Sequence, residues 1–150
     1  LLVRILRTVV QNPSLSEKLE VQPIDCLDYR LTASLVESVG DQSLQIAEYA
    51  VRLNGTKLND DVSRSLLEFH NVVYESYTDA FAGFLSRNIS IADSVRDKRD
   101  TVEGLSNKVE SACNTFPMET AQNLISVISL VTRIYDHSVD ISDLTTPKVR

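Results

Sequence analysis

Apolar side chains recur along this chain at three- and four-residue intervals, the period of helices with one buried face. Leu2, Ile5, Leu6, Val9 and Val10 form such a stripe over residues 1–11. Asn12-Pro13-Ser14 stops it, because proline lacks an N–H and disfavours the helical region for the residue before it. A short helical piece over 14–19 and a linker to Pro23 follow. Asp25-Cys26-Leu27-Asp28 then predicts a helix start with Asp25 as its cap. Leu27, Leu31, Leu35, Val39, Ile46, Ala50 and Leu53 supply its inward face, and Asn54-Gly55 a left-handed stop. The next helix begins near Asn59, turns Val62, Leu66, Phe69, Val73, Tyr77, Ala80, Phe81 and Phe84 inward, and breaks over 87–90. Ser90 with Asp93 reads as a capping box for a helix striped by Val95, Val102, Leu105, Val109 and Ala112. Pro117 opens the last helix in its first turn, and Leu124, Val127, Ile128, Val131, Ile134, Ile141 and Leu144 carry it onward. Residues 145–150 form a tail expected to fray.

Long helices joined by short connections pack antiparallel, so residues 58–144 read as one complete three-helix unit. Residues 1–54 hold two helices of an equivalent unit whose first helix is expected upstream, which makes the chain a fragment of a longer protein. The face left uncovered is expected to meet another chain.

An internal similarity supports two related units. One offset carries Leu35 onto Leu130, Val36 onto Val131, Asp41 onto Asp136, Ser43 onto Ser138 and Ile46 onto Ile141. Val39/Ile134, Leu44/Val139 and Glu48/Asp143 are conservative partners at the same offset. The earlier segment, with Glu37, Gly40, Asp41, Ile46, Ala47 and Glu48, resembles the signature helix of PhoU proteins, regulators of phosphate uptake. Arg133, Ile134, Asp136, His137 and Ile141 resemble the same helix in that family's second repeat. Residues 95–105 are similar to the helix that precedes it. The fold this resemblance implies is all-α: an antiparallel helical bundle of two related three-helix units, the first lacking its first helix.

Composition narrows the possible partners. The chain of 150 residues carries a formal charge of −6, which argues against binding nucleic-acid phosphates through this region. With 4 Gly and 4 Pro, it favours long helices over a turn-rich sheet. Its apolar runs fall far short of the roughly 20 residues that span a bilayer. It begins without a signal-peptide layout and is expected to be cytoplasmic, peripheral to the membrane only through a partner. Cys26 and Cys113 lack metal-binding spacing and read as small buried thiols.

The candidate chemistry is carboxylate. At about 100° per residue, Glu37, Asp41 and Glu48 fall within roughly 40° of one another, away from the apolar stripe. Ser129, Thr132, Asp136, Asp140 and Asp143 share a polar stripe on the last helix. Such rows are ordinarily solvated faces, although two carboxylates at i and i+4 can share a hard cation. His70 and His137 are expected in structural or solvated roles. Tyr74, Glu75, Tyr77 and Asp79 read as a core edge. The Glu-x-x-His pattern of di-metal bundle enzymes is absent, as are phosphate loops and nucleophile elbows.

The PhoU resemblance implies more: paired acidic motifs that hold multinuclear metal clusters. Glu37 and Asp41 match the motif of the first repeat. In the second, Asp136 is retained while Thr132 stands at the leading acid position; Glu103 is retained while Arg99 stands four residues earlier, where an acid is expected. The metal candidates are therefore Glu37, Asp41, Glu103 and Asp136, with iron, zinc or magnesium as the ion and no organic cofactor. Asp93, Asp97 and Asp100 serve only if the helix is rotated. Glu48, Asp140 and Asp143 are candidate partner-binding residues. The function implied is non-enzymatic regulation of phosphate uptake and phosphate-starvation signalling, by a homodimer docking on phosphate-transporter components, a sensor kinase or both. The alternatives are a metal-dependent helical-bundle enzyme and the sensing or dimerisation region of a transcription regulator whose DNA-binding domain lies upstream.

Overall fold

The computed structural model describes residues 1–147, and among these it is all-α, with no strand. Its helices are α1 (Leu2–Gln11), α2 (Pro13–Leu19), α3 (Pro23–Arg52), α4 (Asp60–Ser86), α5 (Ile89–Arg96), α6 (Arg99–Cys113) and α7 (Met118–Asp143). The last three residues of the expected tail lie outside the described residues. Two compact units divide the chain, Leu1–Ser38 and Val39–Arg150, with the division inside α3.

In the first unit, Asn12 ends α1 and also caps α2, accepting from the Leu15 N–H at 3.3 Å. Glu20 takes the left-handed conformation at φ 52°, and the Val21 N–H reaches back to the Ser16 carbonyl, closing α2. The start of α3 differs from the sequence expectation. Pro23 occupies the first turn, and Asp25, buried, reaches back to accept from the Gln22 N–H at 2.7 Å. Asp25 thus acts from inside the helix, because Pro23 needs no N–H partner and suits the first turn. The expected inward face also shifts: Leu27 and Leu31 are 49% and 44% exposed, whereas Cys26 and Thr32 are buried.

In the second unit, Asn59 caps α4 through the Val62 N–H at 2.8 Å. Val62, Phe69, Val73, Ala80 and Phe84 are buried. Arg87, at φ 55°, closes α4 with the Asn88 N–H on the Gly83 carbonyl at 2.9 Å. Asn88 then caps α5 through Ile91, so Asn88 and not Ser90 opens that helix. Asp93, expected as the capping-box acid, instead pairs with Arg96.

The helix expected over 95–112 is two helices, interrupted at Asp97-Lys98. A partner for the carbonyls at the break comes from across the bundle. The hydroxyl of fully buried Tyr135 donates to the Val95 carbonyl at 2.9 Å and also faces the Arg96 carbonyl at 3.4 Å. Carbonyls freed by the break are thereby satisfied. Arg96 holds the same corner from outside, with its Nε 2.7 Å from Asp143 and a second nitrogen 3.2 Å from the Ser142 carbonyl.

Helix α7 begins at Met118 with Pro117 just before it, one residue later than expected. It packs against α4, α5 and α6. Buried Ser76, Ser138 and Ser142 donate to Val72, Ile134 and Ser138 carbonyls of their own helices. Small, self-satisfied hydroxyls let neighbouring backbones approach without an unpaired polar group.

Candidate functional site

An apolar groove runs along α4 in the second unit. Its larger part encloses about 560 Å³ among Ile46, Leu53, Leu66, Leu124 and Val131, and it continues among Val39, Val73, Tyr77 and Ile134. Rising numbers on α4 and α7 accompany falling numbers on α3. Hence α4 and α7 run parallel, and α3 runs against both.

Gln42 and His137 meet between α3 and α7. Gln42 is 3% exposed, and its side-chain amide nitrogen lies 3.0 Å from His137 Nε2. With the amide nitrogen as donor, Nε2 is the acceptor in this contact, and Nδ1 faces Asp140 at 3.6 Å. Among the described residues, neither Gln42 Oε1 nor His137 Nδ1 has a hydrogen-bond partner. His137, expected in a structural or solvated role, here meets Gln42. Gln42 was not singled out by periodicity, although the offset that carries Asp41 onto Asp136 carries Gln42 onto His137.

The acidic rows lie at the surface. Glu37, Asp41 and Glu48 are exposed on α3, and Asp136, Asp140 and Asp143 on α7. Two of the partner-binding candidates are already engaged: Asp143 by Arg96 at 2.7 Å, and Asp140 beside His137. Glu103, exposed on α6, has the Arg99 guanidinium at 4.0 Å. Thr132 turns its hydroxyl onto the Ile128 carbonyl at 3.0 Å. Among the described residues, no group of three or more His, Cys, Asp or Glu side chains is placed to hold a metal ion. Neither the Glu37–Asp41 pair nor the Glu103–Asp136 pair gains a third such side chain among the described residues. Asp79, from the expected core edge, pairs with Lys98 at 3.1 Å.

Burial pushes the Tyr135 phenol above its ordinary range. Arg99 opposes the shift, and Asp136, Glu103 and Asp100 add to it. Burial likewise raises the Tyr77 phenol. Cys26 and Cys113 are free buried thiols, as expected, and both are raised by burial with a nearby carboxylate adding to it. No helix among the described residues is long and apolar enough to cross a membrane.

A protein-family model described as the PhoU domain matches residues 66–145, a span that takes in most of α4 and all of α5, α6 and α7. No curated protein and no solved structure matches the chain.

Proposed function

The chain belongs to the PhoU domain family, and from that premise we propose that it regulates phosphate uptake and phosphate-starvation signalling by docking on other proteins. The observation that carries this reading is the family match over 66–145, together with carboxylates that face outward instead of converging inside the bundle. Chemistry on a helical bundle needs ligands that converge on a reacting centre. Outward rows of charge act on recognition: they steer encounter and exclude wrong partners.

In this reading Glu48 on α3 and Asp140 on α7 present negative charge to basic surfaces of a phosphate-transporter component or a sensor kinase. Asp143 contributes through its pair with Arg96, which fixes the α5–α7 corner. Any surface metal belongs to the acidic motif of α3. The protein works in the cytoplasm as a homodimer and reaches the membrane through its partner.

Binding of the purified chain to the transporter's nucleotide-binding subunit and to the kinase's cytoplasmic region, at low and high salt, tests the proposal. Glu48→Lys and Asp140→Lys are expected to slow association about tenfold at low salt. Equal binding by the reversed and unaltered chains would remove the acidic rows from the interface. An absence of binding to either partner would defeat the reading as a whole.

A further inference from the structure

The resemblance to PhoU proteins implies a metal cluster where α6 packs on α7, and the residues present there do not fit one. A di- or trinuclear site needs several convergent oxygen donors. This face supplies Glu103 and Asp136 as the retained candidates. Thr132 stands at the position of a third donor, and its hydroxyl is committed to the Ile128 carbonyl at 3.0 Å. Arg99 stands at the position of a fourth. Its guanidinium lies 4.0 Å from the Glu103 carboxylate and 5.9 Å from the centroid of the Tyr135 ring. Guanidinium carries only donors and keeps its proton at any ordinary pH, so it cannot ligate a metal and repels one.

We propose that Arg99 is the resident cation of the α6–α7 acidic face and takes the place of a divalent ion there. An i, i+4 ion pair with Glu103 and a cation–π contact with Tyr135 hold this face together instead of coordination bonds. The groups form one electrostatic neighbourhood: Arg99, Asp136, Glu103 and Asp100 all act on the Tyr135 hydroxyl, and Arg99 is the member of opposite sign. Tyr135 in turn holds the break between α5 and α6. Arg99 thus sets a positive charge among these carboxylates, beside the residue whose hydroxyl meets the Val95 carbonyl. This inference bears on the docking reading, since a face whose resident cation is an arginine offers a partner the same charge whatever ions are available. Its test reads metal content and stability, so it can fail while docking succeeds.

The experiment uses the full chain carrying Asp41→Ala, which removes the α3 motif as a source of bound metal. In that background Arg99, Arg99→Lys, Arg99→Glu and Arg99→Gln are compared. Each is dialysed against Mn²⁺, Zn²⁺ or Mg²⁺ or treated with EDTA, then assayed for bound metal and melting temperature. With Arg99 or Arg99→Lys, bound metal should be negligible and the melting temperature should agree between ion and chelator within about 1 °C. Arg99→Glu should bind a metal and melt roughly 5 °C higher with it than with EDTA. If Arg99→Glu does not fold without metal, Arg99→Gln serves, and measurable metal uptake by it supports the proposal. Metal bound by the Arg99 form and lost on Glu103→Ala would overturn it. So would a failure of both Arg99→Glu and Arg99→Gln to take up any of the three ions.

Discussion

The amide nitrogen of Gln42 lies 3.0 Å from Nε2 of His137, and the two residues are 95 positions apart, the offset that relates the similar segments of α3 and α7. Residues at equivalent positions of two similar helices therefore touch each other. This is the relation that a two-fold axis imposes on a self-complementary interface, where a residue meets its own counterpart. Here the counterparts belong to one chain and are an amide and an imidazole.

That contact should be measurable as a coupling. Gln42→Ala is expected to cost about 1 to 3 kcal/mol, because it removes a part-buried hydrogen bond and leaves His137 facing a cavity. His137→Ala should cost less, since its side chain retains 20% exposure. In urea titrations the double variant should fall short of the sum by more than about 0.5 kcal/mol. Additive losses would show that the two side chains are neighbours without interaction.

Tyr135→Phe deletes the hydroxyl that serves the Val95 carbonyl and keeps the ring. A loss of about 1 kcal/mol is expected, with α5 amides exchanging hydrogen faster than those of α6. The raised phenol pKa adds a pH dependence. The folded state holds a proton that the unfolded chain releases, so this contribution is present in full below the unfolded value near 10 and is lost as pH rises through the folded value. Denaturant midpoints taken between about pH 9 and 11 should fall more steeply for the unaltered chain than for Tyr135→Phe. Parallel curves would count against the assignment.

Two glycines separate packing from propensity. A Cβ on Gly83 would lie 3.3 Å from the Ala92 backbone nitrogen and 3.4 Å from the Asn88 carbonyl oxygen, so α4 and α5 approach closely there. Gly83→Val should destabilise by about 2 kcal/mol. A Cβ on Gly104 meets nothing within 4 Å, and Gly104→Ala should stabilise by about 0.5 to 1 kcal/mol through helix propensity alone. Thermal melts of both variants check the contrast.

The thiols should be inert in the folded chain. Cys26 and Cys113 are 3% and 0% exposed, and burial raises both pKa values. Alkylation by iodoacetamide at about pH 8 should proceed orders of magnitude more slowly than in urea, where the thiols recover a value near 8.5. Prompt labelling of Cys113, read by mass spectrometry, would mean that α6 opens more readily than its packing implies.

Helical periodicity alone determined that the chain is all-α, and the stops at Asn12-Pro13, Asn54-Gly55 and 87–90 stood where the helices end, because these are local events written in neighbouring residues. Acidic rows on the outer faces were legible for the same reason: a polar stripe and an apolar stripe are two readings of one period. Only the tertiary structure showed the break at Asp97-Lys98 and the hydroxyl that meets the Val95 carbonyl beside it, brought from Tyr135 about forty residues away in sequence. It alone seated Gln42 against His137 and set Arg99 beside both Glu103 and Tyr135. Side-chain type and spacing state what each group can do. Which partner it meets is settled by the packing of helices distant along the chain, where burial makes each polar contact cost or contribute.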